Sequence, residues 1–337
     1  MSTYKEINGT GIEVLSADPP NPENGQVWYN TTLNKVRIAK ATVAGAWATA
    51  NNLVSPKTQA GTAGTQTAAL SFGGDTFTPP TTGPAHITLS YDGTSWTTAP
   101  GLLNSARRYL AGAGTQTAAL AFSGDGNPSI ADSVTGSATE TYDGTSWTSV
   151  NNMNTYRSRA SGFGTQTAAI IAGGASPAIG PDDSVNTESW NGTNWTEVND
   201  MTRGDTRQRH FGVGTTTAGL VFGGDPAGPG RTESWNGTNW TAVNSMDIGK
   251  SMCGGAGVQT SAVAFGGESP STSDLISTSV WNGSNWVAGN NLNNGRLRLG
   301  GAGSVSAALA VGGDNGSNLT EHFSSPANAA GDLLTEN

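Results

Sequence analysis

A basic residue recurs at one position in six successive segments of this 337-residue chain, always 17 residues before the glycine that ends a Gly-Gly or Ser-Gly pair. An acidic residue follows the pair directly in five segments, and Ala175 takes its place in the third. These residues are Lys57, Arg107, Arg157, Arg207, Lys250 and Arg296, with the acids Asp75, Asp125, Asp225, Glu268 and Asp314. Such a set predicts either a ring of charge pairs between strands or an anion-binding site. Arg157 is the strongest candidate for the anion site, although Asp182 or Asp183 could instead reach it.

A second basic position lies two residues further on and is filled in only some of the segments. Arginine occupies it three times, and other residues occupy it in the remaining copies: Arg159, Arg209, Arg298, Gln59, Tyr109 and Met252. Such differences break the sixfold symmetry, which a specific site requires. The predicted ligand-binding or partner-binding set is Arg108, Tyr156, Arg157, Arg159, Arg207, Arg209, His210 and Arg298. The alternative is that these arginines are structural or merely solvated.

Catalytic and metal-binding patterns are absent from the sequence. His86, His210 and His322 fall at non-equivalent positions of the segments, and no His-Glu-x-x-His motif occurs. Glycoside hydrolysis needs two carboxylates that face each other across a cleft, and the sequence singles out no such pair. We therefore predict no catalytic residue, no metal site and no cofactor.

Composition narrows the class of protein. Charged residues are 12% of the chain, and the net charge is −9 with only 16 Lys and Arg. Nucleic acid is thus a poor partner, because neutralising phosphates needs clustered basic residues. No apolar run approaches the roughly 20 residues of a membrane helix, so membrane insertion is not expected. Cys253 is the single cysteine, which excludes an internal disulfide.

Internal repetition accounts for much of the glycine, which makes up 48 residues. Near copies of Gly-Thr-Gln-Thr-Ala-Ala-Leu begin at Gly64, Gly114 and Gly164, and weaker copies begin at Gly214, Gly257 and Gly303. An aromatic residue and a tryptophan five residues later follow in five copies: Tyr91/Trp96, Tyr142/Trp147, Trp190/Trp195, Trp235/Trp240 and Trp281/Trp286. The Asp-Gly or Asn-Gly between them is typical of a type I′ hairpin, in which both central residues have positive φ.

The repeat period predicts a β-propeller. Successive copies are 43 to 50 residues apart and hold about four strand-like segments each, as a propeller blade does. Alanine and glycine on the first two strands suit the crowded centre of a disc. The tyrosines and tryptophans of the outer two strands are predicted to fill the wider space between blades. The fold class is therefore all-β, a six-bladed propeller with four strands per blade.

The sixth copy lacks its tryptophan strand, and a matching segment lies near the N-terminus. Gly45 to Leu53 contains Trp47 and aligns with Thr145 to Met153, so it is predicted to complete the last blade and close the ring. The predicted domains are an N-terminal arm at 1–44, the propeller at 45–325 with its closing strand at 45–53, and a tail at 326–337. The blades are predicted at about 57–99, 107–151, 157–200, 207–245, 250–291 and 296–324.

The glycine pair, the following aromatic residue and the later tryptophan together resemble the kelch repeat, over residues 45–324. The resemblance implies a kelch-like six-bladed propeller, in which a basic residue commonly begins the first strand. It implies no single function, because kelch-like propellers serve as oxidases, lectin-like binders and adaptors. Connections after the second strand vary most in length, and repeat proteins usually bind through their variable face. We therefore expect the binding surface on that face.

Residues 18–40 do not belong to the repeat. The pattern Gly25-Gln-Val-Trp-Tyr-Asn, a turn and then Asn34-Lys-Val-Arg-Ile predicts two alternating strands around Thr-Thr-Leu-Asn. It resembles the short hairpin of tail-fibre and other structural proteins of tailed bacteriophages. The resemblance implies that residues 1–44 attach the chain to other virion proteins, with Trp28, Tyr29, Lys35 and Arg37 as attachment residues.

Two functions of different class follow. The first is a non-enzymatic bacteriophage virion structural protein of the tail, fibre, neck or capsid, whose propeller face binds host-surface glycan or a neighbouring virion protein. The second is a carbohydrate-active enzyme, a hydrolase or depolymerase, on the same scaffold. The first predicts assembly in the host cytoplasm and location in the virion, and it is compatible with multiple copies. Met1 to Leu15 does not have the pattern of a signal peptide, and host lysis would release such a protein without one.

Overall fold

A computed structural model describes residues 12–19, 26–40, 45–78, 81–126, 136–176, 185–202, 208–224, 230–314, 317–324 and 329–332. The regular elements in these ranges are β-strands, which confirms the all-β class. The chain divides into two compact units. The arm unit contains Met1–Gly45 with Ser325–Asn337, and the repeat unit contains Ala46–Ser324.

The described part of the arm unit is one four-stranded sheet in the order β1, β2, β3, β30. Its strands are β1 (Glu13–Leu15), β2 (Val27–Asn30), β3 (Lys35–Lys40) and β30 (Ala329–Asp332). Strands β2 and β3 pair antiparallel, with Tyr29 opposite Val36, so the predicted hairpin is present. Strand β30 pairs antiparallel with β3. The C-terminal segment, expected as a separate tail, therefore contributes a strand to the sheet of the arm unit.

The described residues of the repeat unit form six four-stranded antiparallel sheets and one short hairpin. The first sheet contains β5 (Gly61–Thr65), β6 (Ala68–Phe72), β9 (Thr88–Tyr91) and β10 (Trp96–Thr98), with the hairpin β7 (Asp75–Thr78) and β8 (Thr81–Pro84) between β6 and β9. The second contains β11 (Ala111–Gly114), β12 (Ala119–Phe122), β13 (Thr139–Tyr142) and β14 (Trp147–Val150). The third contains β15 (Ser161–Gly164), β16 (Ala169–Ala172), β17 (Thr187–Trp190) and β18 (Trp195–Val198).

The remaining three sheets repeat this order. The fourth contains β19 (His210–Thr215), β20 (Ala218–Gly223), β21 (Thr232–Trp235) and β22 (Trp240–Val243). The fifth contains β23 (Gly254–Val258), β24 (Ser261–Phe265), β25 (Thr278–Trp281) and β26 (Trp286–Gly289). The sixth contains β27 (Gly300–Ser304), β28 (Ala307–Val311), β29 (Thr320–Ser324) and β4 (Ala46–Ala50), and Phe323 lies opposite Trp47. Its outer strand thus comes from the N-terminal side of the chain.

The hairpins between the third and fourth strands have longer turns than predicted. In the first sheet Tyr91 lies opposite Trp96, which leaves four residues in the turn. Gly93 has φ of 93°, whereas Asp92 does not have positive φ. The Asp92 Oδ1 accepts the backbone N–H groups of Thr94 and Ser95 at 2.8 and 2.7 Å. The expected type I′ turn is therefore wrong, because the side chain of Asp92 organises a wider turn instead.

The aromatic core lies between neighbouring sheets, as the repeat pattern predicts. The rings of Phe72 in the first sheet and Trp147 in the second have centroids 4.9 Å apart. Trp47 of the sixth sheet and Phe265 of the fifth are 4.7 Å apart. These side chains are almost fully buried. Aromatic burial therefore joins each sheet to the next, and a single repeat would leave this surface exposed to water.

Hydrogen bonds from tryptophan follow the same order. Each Trp of an outer strand donates its indole Nε1–H to the Thr that begins the third strand of the preceding sheet, at 2.9 to 3.0 Å. The pairs are Trp47–Thr278, Trp96–Thr320, Trp147–Thr88, Trp195–Thr139, Trp240–Thr187 and Trp286–Thr232. The first strands of successive sheets also contact one another, and β27 contacts β5. In the described residues, the sixth sheet is thus joined to the first as well as to the fifth.

Candidate functional site

The basic residue that precedes each first strand reaches inward. The Nη2 of Arg107 lies 3.0 Å from Oε1 of Glu140 on β13, and its Nη1 donates to the carbonyl of Ala138 at 2.6 Å. Arg157 repeats the contact with Glu188 at 2.6 Å, and both guanidinium groups are fully buried. The expected pairing with the acids after the glycine pairs is therefore wrong for Arg107 and Arg157, whereas Arg207 and Asp225 lie outside the described residues. Arg157, the strongest anion-site candidate from the sequence, is instead part of a buried charge pair.

The first basic position is filled by arginine or by lysine, and the third-strand residue that faces it differs between the two cases. The described arginines at this position face a glutamate of the third strand, whereas Lys57 and Lys250 lie in sheets that have Leu89 and Ser279 at the glutamate's place. The Lys57 Nζ donates to the carbonyl of Ser71 at 3.1 Å. Burial lowers the pKa of Lys57 to about 7 and that of Lys250 to about 8. A lysine replaces arginine where the third strand has no glutamate.

Three of the acids after the glycine pairs bind other arginines, whereas Glu268 accepts a hydrogen bond from Ser251. The Nη1 of Arg108 lies 2.8 Å from Asp75 Oδ2, and its Nε lies 2.9 Å from Asp125 Oδ1. Arg108 therefore bridges the acids of the first and second sheets. The Nη1 of Arg298 lies 2.8 Å from Asp314 Oδ2 in the sixth sheet. These charge pairs are partly exposed, unlike the pair of Arg107 with Glu140.

The second basic position defines what we call the mouth ring, six equivalent residues that precede the first strands. Its members are Gln59, Tyr109, Arg159, Arg209, Met252 and Arg298. All have left-handed backbone with φ between 52° and 59°. Each donates its backbone N–H to the carbonyl of the corresponding residue one sheet earlier, at 2.8 to 3.1 Å, and the bond from Gln59 to Arg298 completes a cycle of six. Left-handed backbone costs about 1–2 kcal/mol per non-glycine residue, and such strain concentrates at functional sites.

The mouth ring lines a channel with a volume of about 240 Å³. Its wall consists of the first strands of the six sheets, which are rich in glycine and alanine. Gly112 illustrates the reason, because a Cβ there would lie 2.5 Å from the carbonyl oxygen of Thr62. Neighbouring first strands therefore approach too closely at this position for any side chain larger than that of glycine. Within the described ranges, the arginines that line it are Arg159, Arg209 and Arg298.

The side chain of Arg159 contacts other groups than that of Arg298, which pairs with Asp314. Its Cζ lies 4.6 Å from the centroid of the Tyr109 ring, and its Nη1 lies 3.4 Å from Gln208 Oε1. Ala175 occupies the place that Asp314 has relative to Arg298, 16 residues further along the chain in both cases. The Nε of Arg159 is buried and has no hydrogen-bond partner among the residues that the structure describes. No ion pair involves Arg159 in the part of the chain that the structure describes.

Of the other predicted binding residues, some line the channel and others are buried in the interior. Arg209 lines the channel beside Arg159, and the two are joined by a backbone hydrogen bond. His210 is buried, with Nε2 3.1 Å from the carbonyl oxygen of Ala172, and the half-buried Tyr156 packs against Gly136. Arg207 lies outside the described residues. The structure thus brings three predicted arginines together in the mouth ring and places Arg157 and His210 in the interior.

The predicted attachment residues divide into buried and exposed. Trp28 is fully buried, and its Nε1 donates to Asp18 Oδ1 at 3.0 Å. Arg37 Nη2 lies 2.9 Å from Asp18 Oδ2, and the Tyr29 hydroxyl hydrogen-bonds with Asn34. Lys35 is exposed. Trp28 and Arg37 therefore stabilise the arm unit itself, whereas Lys35 lies on its surface.

The four glutamates of the third strands were missed in the sequence. Glu140, Glu188, Glu233 and Glu321 are buried, and each accepts a backbone N–H from the loop that precedes its repeat. A signal for them exists: across the six repeats, arginine at the first basic position accompanies glutamate on the third strand, and lysine accompanies leucine or serine. This covariation within one chain was sufficient to predict the pairing.

Two further features concern metal ions and membranes. Among the described residues, no three His, Cys, Asp or Glu side chains are grouped so that they could hold a metal ion. The described elements include no helix of the length and apolarity that a membrane span needs. The chain matches no protein-family model and no curated protein sequence.

Proposed function

We propose that the repeat unit is a closed, six-bladed, kelch-like β-propeller. Three independent cycles support the proposal: the backbone bonds of the mouth ring, the tryptophan–threonine bonds and the contacts between first strands. Each cycle returns from the sixth sheet to the first. In a closed ring the first and last blades pack against each other, so neither exposes its face to water. This limits aggregation, which suits a protein presented on a particle.

The chain is, in this proposal, a non-enzymatic structural protein of a bacteriophage virion. One observation carries it: the segment that resembles the phage tail-fibre hairpin belongs to a compact unit of its own, with Trp28 buried on Asp18. The arm unit attaches the chain to other virion proteins, and the propeller face with the mouth ring meets host-surface glycan or a neighbouring virion protein. Asp75 and Asp125 at that face are both held by Arg108, which makes them poor candidates for acid–base catalysis.

Particle incorporation tests this function. A phage whose own copy is deleted would be complemented with the full chain or with residues 46–324, and purified particles would be probed for the protein. The repeat unit has its own buried core, so we expect residues 46–324 to fold and yet to be absent from particles. Absence of the full chain from particles would overturn the virion assignment, and equal incorporation of both would overturn the role of the arm unit.

The same protein distinguishes binding from hydrolysis. The full chain would be incubated with purified host-surface polysaccharide, and both retention of the polysaccharide and release of reducing ends would be followed. Retention without release supports a binding protein. Catalytic release of reducing ends would contradict the non-enzymatic assignment and favour a carbohydrate-active enzyme.

A further inference from the structure

We infer that the Arg159 side of the mouth ring binds a sugar that carries a carboxylate. This inference rests on the proposed function, because it names the class of glycan that the propeller face would bind. Arg159 and Arg298 occupy equivalent positions of the repeat but differ in their partners: Asp314 and Met252 contact Arg298, whereas Ala175 and Tyr109 take their places beside Arg159.

Arg298 shows how an arginine of the mouth ring is paired when a carboxylate is present. Arg298 and Arg159 share the same backbone conformation, with φ of 57° and 58°. Arg298 is neutralised by Asp314 at 2.8 Å, whereas the equivalent residue near Arg159 is Ala175. A carboxylate bound by Arg159 would therefore occupy the role that Asp314 has in the sixth sheet.

The available edge of Arg159 suits a carboxylate. Its Nη1 is directed to Gln208, and the face of the guanidinium lies over Tyr109. Within the described residues the buried Nε has no hydrogen-bond partner, whereas Nη1 has Gln208, so we place the carboxylate at the edge formed by Nε and Nη2. This edge presents two parallel N–H groups, which match the two oxygens of a carboxylate. A buried donor without a partner is costly, and a ligand would satisfy it.

The neighbouring ring residues favour a sugar over a peptide. Gln59 lies beside Tyr109 in the ring, one sheet earlier, and within the described residues its buried side-chain carbonyl oxygen has no hydrogen-bond partner. That oxygen can accept a hydrogen bond from a sugar hydroxyl, whereas an acidic peptide side chain has no hydroxyl to offer. The volume of about 240 Å³ is below that of sites for drug-sized ligands, so a single sugar ring is the size class that fits.

Calorimetric titration of the full chain with glucuronate tests the inference. The comparison ligands are glucose, acetate, inorganic phosphate and triglutamate. We expect glucuronate to bind at least about tenfold more tightly than each of them, because it alone offers both a carboxylate and ring hydroxyls. Equal or tighter binding of acetate or phosphate would show a general anion site, and tighter binding of triglutamate would show a peptide site. Either result, or no binding of glucuronate, overturns the inference.

Two variants examine the residues themselves. Arg159→Gln removes the charge, and the backbone position accepts glutamine because Gln59 has the same φ of 58°. Ala175→Asp supplies the internal carboxylate that Asp314 provides in the sixth sheet. We expect each to weaken glucuronate binding at least about tenfold. Unchanged binding in both folded variants would overturn the assignment to Arg159.

The control is Thr97→Asp on the exposed outer strand β10, which changes the net charge by the same amount. We expect it to bind glucuronate as the unmodified chain does, and a loss equal to that of Ala175→Asp would assign the effect to overall charge. Circular dichroism would establish that each variant is folded. Failure of glucuronate binding leaves particle incorporation untouched, whereas failure of incorporation leaves the sugar titration valid, so the two outcomes are separable.

Discussion

Trp96 donates its indole N–H to the hydroxyl oxygen of Thr320 at 2.9 Å, across 224 residues of sequence. The bond joins the first sheet of the repeat unit to the sixth. Five further bonds of the same kind join the remaining neighbours, so this one differs from them only in the length of chain that it spans.

Removing the acceptor tests that link. We expect Thr320→Val to lower the free energy of unfolding by about 1–3 kcal/mol, because the buried N–H of Trp96 loses its acceptor. Thr232→Val removes the acceptor of Trp286 inside the chain of repeats and is the matched control. Urea unfolding of both variants should give losses within about 0.5 kcal/mol of each other. A negligible loss for Thr320→Val alone would mean that the first and sixth sheets are not joined in this way.

The buried pair of Arg107 with Glu140 gives a second prediction. Glu140→Gln leaves the arginine charge buried without its counter-ion, at an expected cost of about 3–5 kcal/mol. The double variant Arg107→Lys with Glu140→Leu reproduces the pair of Lys57 and Leu89 from the first sheet. We expect it to recover part of the lost stability in urea unfolding. A double variant no more stable than the single one would contradict the interpretation of the covariation.

The buried lysine predicts a pH dependence of stability. Burial lowers the pKa of Lys57 to about 7 from 10.5, so between these values the unfolded chain binds more protons than the folded one. The free energy of unfolding should therefore rise with pH across this window, and Lys57→Met should rise less. Urea unfolding between about pH 7 and about pH 10 measures the difference. The exposed Lys35→Met is the control, and an identical rise in both variants would contradict the prediction.

The contacts of Asp18 predict that its removal unfolds the arm unit but not the repeat unit. Its carboxylate accepts hydrogen bonds from Asn30 and Trp28 and pairs with Arg37, and the bond from Asn30 is the main cause of its lowered pKa. We expect Asp18→Ala to expose the strands β2 and β3 to trypsin while the thermal transition of the repeat unit stays unchanged. Lowering the pH through the depressed pKa should have the same effect, because protonation removes the charge that Arg37 pairs with.

The control for this experiment is Glu13→Ala, an exposed acid of the same sheet. Mass spectrometry of the fragments locates the cleavage sites. Cleavage within 46–324 in the Asp18 variant, or equal cleavage of both variants, would contradict the independence of the two units.

Repetition made most of the fold predictable. The positions of the strands, the burial of the tryptophans and the pairing of Trp47 with Phe323 follow from patterns that recur in register. Periodic burial is a property of each repeat and can be recognised in the sequence of any one of them. The all-β class and the strand order within each sheet could therefore be predicted.

The site was harder to predict because it depends on what lies across from each side chain. Asp125 lies 18 residues and Glu140 lies 33 residues after Arg107 in the sequence, and only the inward direction of the guanidinium selects the more distant Glu140. The left-handed backbone of the mouth ring was also unpredictable, because arginine, tyrosine and methionine do not favour it. Burial and backbone geometry, rather than residue type, separate Arg157 from Arg159.

The chain enters the repeat unit at Ala46 and leaves it at Ser324, and these two residues lie opposite each other on β4 and β29. The preceding and following segments supply β3 and β30, which pair in the sheet of the arm unit. A mechanical load applied between the two units is thus shared by two covalent connections in parallel. It enters the repeat unit at a single strand pair of the sixth sheet, so the other five sheets lie outside the direct path of the force.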